Sequence, residues 1–240
     1  MAVYGIDMGH NTGAGASSIL NETTENRKIG KELIRMLKEK GHTVIDCTNE
    51  NAVNQLNGIV NKANAQSLDL FCSIHLNSGG GHGTETYIWN GTWSNKEKNR
   101  TIAKRINDAV VASCNFRNRG VKEANFYVLR ATNAPAILVE VCFVDSQEDA
   151  NKLNYVAVAK ALFKGITGEE YIDSSANIST SYRVKITADV LNVRKEPTTS
   201  SAIVTTVKRN EVYTIVGEQN GWGKLKSGAG WISLAYTTKC

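Results

Sequence analysis

The chain has 240 residues, of which 41% are hydrophobic and 21% charged, with a formal net charge of +5. That length supports one large domain with its own core plus one small domain, and the composition reads as soluble and globular. No stretch of about 18 apolar residues occurs, so no membrane span is expected.

In chain order, Val3–Asp7 is an apolar run that reads as a buried strand. The N-terminus lacks the basic, apolar and small-residue segments of a signal peptide, so synthesis in a cytoplasm without the usual secretory route is expected. A helical pattern runs from about Glu22 to Lys40, with Ile29, Leu33, Ile34 and Leu37 on one face and Gly41 as a stop. Thr43–Cys47 reads as a strand, and Val53, Leu56, Ile59, Val60 and Ala63 return to helical spacing. Leu68–Leu76 and Thr84–Trp89 read as strands, and Ile102, Ile106, Ala109 and Val110 mark a third helix. Ala136–Val144 is a long apolar strand broken only by Glu140, and Leu153–Phe163 gives a last helix. This alternation predicts an α/β domain over residues 1–173, a mostly parallel twisted sheet with helices on both faces.

Residues 174–181 are small, polar and aperiodic and read as a linker. From Arg183 to Ser233 the pattern changes to short alternating runs separated by turn residues such as Glu196-Pro197 and Asn220-Gly221. Residues 182–240 are therefore predicted to form a small all-β, SH3-like barrel without need of a helix. Charge divides at the same place. Residues 1–173 carry 19 Lys+Arg against 19 Asp+Glu, and residues 174–240 carry 9 against 4, so the whole +5 lies in the tail. A basic tail on a neutral body points to an anionic partner for the tail. The five cysteines (47, 72, 114, 142 and 240) form no CxxC pair and suit free thiols in a reducing compartment, with Cys72 and Cys142 as small core residues.

The candidate chemistry rests on few residues. His10 ends the first apolar strand and enters the loop Gly9-His10-Asn11-Thr12-Gly13, and His75 ends the strand Leu70–Ile74. Sites in open α/β sheets form outside the carboxyl ends of strands, so both imidazoles are expected in one crevice. Catalytic zinc commonly takes two histidines, one carboxylate and a water. Glu22 and, one turn on, Glu25 are the carboxylates at the start of the following helix. Glu140 interrupts Ile137-Leu138-Val139 and Val141-Cys142-Phe143, where an acidic group is rarely present for packing. Desolvation there should raise its pKa toward the range useful to a general base. His42 reads as a helix-end residue, and His82 sits in the loop Gly79-Gly80-Gly81-His82-Gly83 as a substitute ligand. That loop lacks the Lys-Ser/Thr of a phosphate-binding loop, so nucleotide binding is rejected. No nucleic-acid partner is expected.

Four segments in order carry a resemblance: Ile6-Asp7-Met8-Gly9-His10, Asn21-Glu22-Thr23-Thr24-Glu25-Asn26, Ser73-Ile74-His75-Leu76-Asn77 and Pro135–Asp145. Together they resemble the zinc-dependent N-acetylmuramoyl-L-alanine amidases of the amidase-3 family, over roughly residues 1–168. The similarity is strongest to endolysins of phages of low-GC Gram-positive bacteria. The resemblance implies that His10, Glu22 and His75 bind Zn2+ and that Glu140 is catalytic. The family Glu stands four residues before an Asn, which selects Glu22 over Glu25. Met8 departs from the Pro of many relatives and should alter the loop, not the chemistry. Asn118-Arg119-Gly120-Val121-Lys122 also resembles a family segment, either near the substrate or a surface turn.

In the tail, Val190–Arg194 with Pro197, then Gly221–Leu225 and Gly230-Trp231-Ile232 resemble a bacterial SH3 domain. Such domains commonly bind peptidoglycan or associated wall polymers. At least one of Trp222 and Trp231 is expected in the core, and an exposed one would suit stacking on sugars or peptides. The expected function is hydrolysis of the amide joining N-acetylmuramic acid to the L-alanine of the stem peptide, in a phage endolysin acting on the wall after release. The rival readings are a zinc peptidase on the stem peptide, a non-catalytic wall-binding protein, and a host autolysin.

Overall fold

Strand β1 (Val3–Met8) turns Tyr4 and Ile6 toward one apolar layer and Val3 and Gly5 toward another, because successive strand residues face opposite sides. A computed structural model describes residues 1–51, 53–172, 181–219 and 221–240. They divide into two compact units, Met1–Tyr171 and Ile172–Cys240. The linker expected at 174–181 lies outside the described residues, apart from Ser181, as does Asn220 of the expected Asn-Gly turn.

In the first unit β1 is followed by α1 (Glu22–Glu39), β2 (Thr43–Asp46), α2 (Gln55–Asn64), β3 (Leu70–Asn77) and β4 (Thr84–Trp89). Then come α3 (Lys96–Cys114), β5 (Asn118–Ala124), α4 (Tyr127–Ala131), β6 (Ala136–Phe143), α5 (Gln147–Lys152) and α6 (Tyr155–Thr167). Helix α1 starts where Asn21 accepts the Thr24 amide at 2.9 Å, and its first turn holds Glu22 and Glu25 at the positive end of the helix dipole. Among the described residues the sheet order is β2-β1-β3-β6-β4-β5. Strands β2, β1, β3 and β6 are mutually parallel, whereas β4 pairs with β6 antiparallel and with β5 in parallel. The sheet is therefore mixed. Only residues 78–83 join β3 to β4, far fewer than the dozen or so needed to return to the opposite end of a sheet, so β4 enters from the same end and runs back.

Helices α1, α3 and α6 cover one face with Leu33, Ile106 and Phe163, all fully buried, against Ile6, Ile74 and Val139. Helices α2 and α4 cover the other with Ile59 and Val128 against Phe71 and Leu138. Strand β5 and helix α4 were not legible as elements, because the one is partly exposed and short of apolar alternation and the other is a single turn or so. No helix among the described residues is long and apolar enough to cross a membrane. All five cysteines are free, with Cys47, Cys72 and Cys142 buried.

The second unit is an antiparallel sheet of β7 (Tyr182–Ile186), β8 (Val190–Arg194), β9 (Ile203–Lys208), β10 (Val212–Gln219), β11 (Trp222–Leu225), β12 (Trp231–Ser233) and β13 (Thr237–Lys239). Among the described residues its order is β13-β7-β10-β11-β12-β8-β9, with a 3-10 turn at Leu234–Tyr236. The core is aliphatic: Val184, Ile186, Leu191, Val193, Val207, Ile215, Leu225 and Ile232. Neither Trp222 nor Trp231 belongs to it, contrary to expectation. Gly223, Leu225 and Ile232 take the inner positions, so the alternation of β11 and β12 leaves both tryptophans partly exposed.

Candidate active site

Past Met8 the chain turns through Gly9 into His10, which is held in the left-handed region at φ 63°. A non-glycine residue there needs support from its surroundings. Helix α1 supplies it. The Arg27 guanidinium donates to the carbonyls of Met8, Gly9 and His10 and to Glu50 at 2.5–2.9 Å, and the Asn26 amide donates to the Gly9 carbonyl at 2.8 Å. Glycine is required at position 9 because a Cβ there would stand 2.1–2.5 Å from the His75 ring. The Met8 amide donates to Thr48 Oγ1 at 3.0 Å, a bond that a proline cannot make.

Glu22, the first residue of α1, is only 3% exposed. Its Oε1 lies 3.2 Å from His10 Nε2 and 3.0 Å from His75 Nδ1, and its Oε2 accepts the Ala16 amide at 2.8 Å. Burial alone would raise this carboxyl, but hydrogen bonds from His10, His75 and Ala16 hold it well below the usual carboxylate range. Burial would likewise lower the His75 imidazole, and Glu22, Glu140 and Asp7 raise it instead. One ligating atom from each of His10, Glu22 and His75 falls within 4.8 Å of the others. Tetrahedral zinc with bonds of about 2.0–2.2 Å needs donors roughly 3.4 Å apart, so two nitrogens and one oxygen so placed fit the ion in type, number and spacing. No other such group occurs among the described residues. Glu25 pairs with Lys28 at 2.7 Å and lies outside the group. His42 packs against the rings of Tyr4 and Phe163, and His82 is also outside.

Glu140 sits beside this triad by register. The β3–β6 pairing sets it opposite His75, and the β6–β4 pairing sets it opposite Glu85. The three form a row on the α2/α4 face. Burial first, then the charges of Glu22 and Glu85, push the Glu140 carboxyl up to about 7 against the lowering pull of His75. Its Oε2 is buried without a hydrogen-bond partner. Both histidines and Glu140 open onto a cavity of about 450 Å³, whose other side is lined by Leu56, Ile59, Phe126, Val128 and Leu138 together with Gln55 and Tyr127.

Three participants escaped the reading of the sequence. Asp7, 1% exposed, lines the same cavity, accepts from Ser73 Oγ at 2.5 Å and leaves Oδ1 without a partner. The signal was there, an acid closing an apolar strand, as at Glu140. Glu85 and Arg27 carried no local signal, since each is defined by a partner distant in sequence.

With fold and site in view, comparison with known proteins gives the family. The amidase-3 pattern, described as N-acetylmuramoyl-L-alanine amidase, matches residues 5–168, and a bacterial SH3 pattern matches residues 189–238. The chain belongs to the amidase-3 family of N-acetylmuramoyl-L-alanine amidases and carries a C-terminal bacterial SH3 domain. It is 35% identical over 191 residues to the N-acetylmuramoyl-L-alanine amidase CwlM of Bacillus licheniformis, covering 76% of this chain and 74% of that protein. It is 44% identical over 150 residues to an uncharacterized protein, CPE1502, of Clostridium perfringens, covering 59% of this chain and 43% of that longer protein. Among solved structures, the catalytic domain of the CD27L endolysin targeting Clostridia Difficile superposes with a TM-score of 0.62 at 26% identity, over 72% of this chain and 100% of that one.

Proposed function

We propose that this protein hydrolyses the amide between the lactyl group of N-acetylmuramic acid and the L-alanine of the peptidoglycan stem peptide. The observation that carries the reading is the convergence of His10 and His75 on Glu22, with Glu140 one strand away on the same face of a cavity. In this reading His10, Glu22 and His75 hold Zn2+ and Glu140 moves the proton. Bound zinc would polarise the scissile carbonyl and acidify a water. Glu140, a buried carboxyl opposite His75, would accept a proton from the attacking water and return it to the leaving alanine nitrogen. The second unit, with its net positive charge and two outward tryptophans, would bind the wall polymer. The endolysin among the structural relatives supports a role in phage-driven lysis, with action on the wall after release from the producing cell.

Mass spectrometry of digested, purified peptidoglycan tests this. Free N-terminal alanine on released stems, lost on adding a chelator and regained with zinc, is the expected result. New termini inside the stem would establish a peptidase instead, and no release at all would leave a wall-binding protein.

A further inference from the structure

On the side of Glu140 away from the histidines lies a group of charges that the proposed reaction leaves unused. Glu85 stands opposite Glu140 across the β4–β6 pairing, at the roughly 5 Å Cβ separation of opposed strand residues. It is 2% exposed, and its carboxylate is fully engaged. Oε2 accepts from Arg119 Nε and Lys122 Nζ, both at 2.5 Å, while Oε1 accepts from Asn77 Nδ2 at 2.8 Å and from the Tyr87 hydroxyl at 2.7 Å. Four donors fill the carboxylate's acceptor sites. One carboxylate balances one cation, so the pair Arg119 and Lys122 keeps a net positive charge.

Both cations are held from behind and open in front. Arg119 uses Nε on Glu85 and rests its guanidinium 4.9 Å from the Phe143 ring centroid, and its Nη atoms have no hydrogen-bond partner among the described residues. Lys122 lies 5.9 Å from the Tyr87 ring centroid. The side chains are 27% and 38% exposed, whereas the carboxylate beneath them is buried. A guanidinium with a free edge beside an ammonium is a fork for a carboxylate. The cavity on the histidine side carries no Lys or Arg, and much of its lining is apolar (Leu56, Ile59, Phe126, Val128 and Leu138), so it offers a carboxylate no cation.

We propose that Arg119 and Lys122 form a specificity subsite for a carboxylate of the stem peptide, the first free one beyond the scissile amide, with Glu85 as the residue that positions both cations. The inference rests on the reading of the site as a stem-peptide amidase. It assigns the β4–β5 side of Glu140 to the peptide, so that the substrate lies across the sheet edge with its charged part over Arg119.

The test uses the full chain and two pairs of substrates. One pair is soluble muropeptides identical except that the second stem residue's main-chain carboxyl is free or amidated. The other is purified walls differing in the same way. The wild-type protein should favour the free carboxylate by about tenfold in kcat/KM, expressed mainly in KM, as suits one charge-assisted hydrogen-bonded contact. Arg119→Ala should bring the ratio near one, and Arg119→Lys should keep part of it. The ratio is taken on a single preparation, so partial unfolding of a variant cancels. A wild-type ratio near one on both pairs, or a preference that Arg119→Ala leaves unchanged, overturns the subsite. Absence of alanine release from every substrate overturns the amidase reading itself.

Discussion

At Glu140 a single carboxyl is pulled two ways, by burial toward the neutral acid and by His75 toward the carboxylate. Burial prevails in the metal-free protein, where the group titrates at about 7 against 4.5 for an ordinary glutamate. The folded state therefore holds a proton that the unfolded chain has lost between these two values. This group's contribution to stability is then greatest below about 4.5 and declines as pH rises through about 7. Glu140→Gln removes the titration and keeps the shape. In metal-free protein its stability relative to wild type should rise across that window by on the order of 3 kcal/mol and then level off. Denaturant titrations at a series of pH values check this, and a difference independent of pH would place Glu140 at its ordinary pKa. The same variant should keep metal and wall binding while losing at least roughly a hundredfold in turnover, the low end for general acid–base catalysis. At the triad, His10→Ala, His75→Ala and Glu22→Ala should each lose bound zinc and lysis, since each removes one of three protein ligands. Glu25→Ala should keep both, because its carboxylate is turned to Lys28. Zinc content by elemental analysis after gel filtration separates the two outcomes.

One step up in scale, the working part is the strand–loop–helix formed by β1, residues 9–21 and α1. The loop carries His10 in the left-handed region and is held by Arg27 and Asn26 from the first turns of α1. Arg27→Ala should loosen His10 and weaken zinc binding in competition with a chelator more than it lowers the melting temperature. Unchanged zinc affinity would show that the loop holds its shape alone. Gly9→Ala is harsher, because the added methyl would overlap the His75 ring. It should cost about 1–3 kcal/mol of stability, as overpacking does, and displace a ligand as well, read as loss of zinc at temperatures where the variant is still folded. Strand register matters in the same way. A slip of one residue in β6 would turn Glu140 to the α1/α3/α6 face and bury Val139 or Val141 in the cavity wall.

For the molecule as a whole, charge and chemistry are segregated. The candidate triad and Glu140 lie in the first unit, and the net positive charge lies beyond residue 173. Separate expression of residues 1–171 and 172–240 should yield two folded pieces. The first should keep zinc and cut soluble muropeptides, and the second should bind walls and cut nothing. Trp222 borders a groove of the second unit with Leu191, Arg194 and Tyr236, so two modes of wall binding can be told apart. Binding that weakens with salt indicates an anionic polymer, since surface attraction is screened over about 8–10 Å at near-physiological ionic strength. Binding indifferent to salt but lost in Trp222→Ala indicates stacking. If neither piece sediments with walls, the second unit is a structural cap.

The sequence by itself determined the periodicities, and with them the α/β character of the first unit and the all-β character of the second. It also marked His10 and His75 as strand-end residues and Glu140 as the polar break in an apolar strand, because these are contrasts with immediate neighbours. Tertiary structure alone decided what depends on partners far along the chain. It reversed β4 against β6, set Asp7 into the same cavity and placed Glu85, Arg119 and Lys122 beside Glu140. It also kept both tryptophans of the second unit out of its core. The reason is physical. Alternation fixes which residues share a face of one strand, but strand order and register come from long-range packing and from connection length, and a row such as His75, Glu140 and Glu85 exists only once three separate strands have been paired.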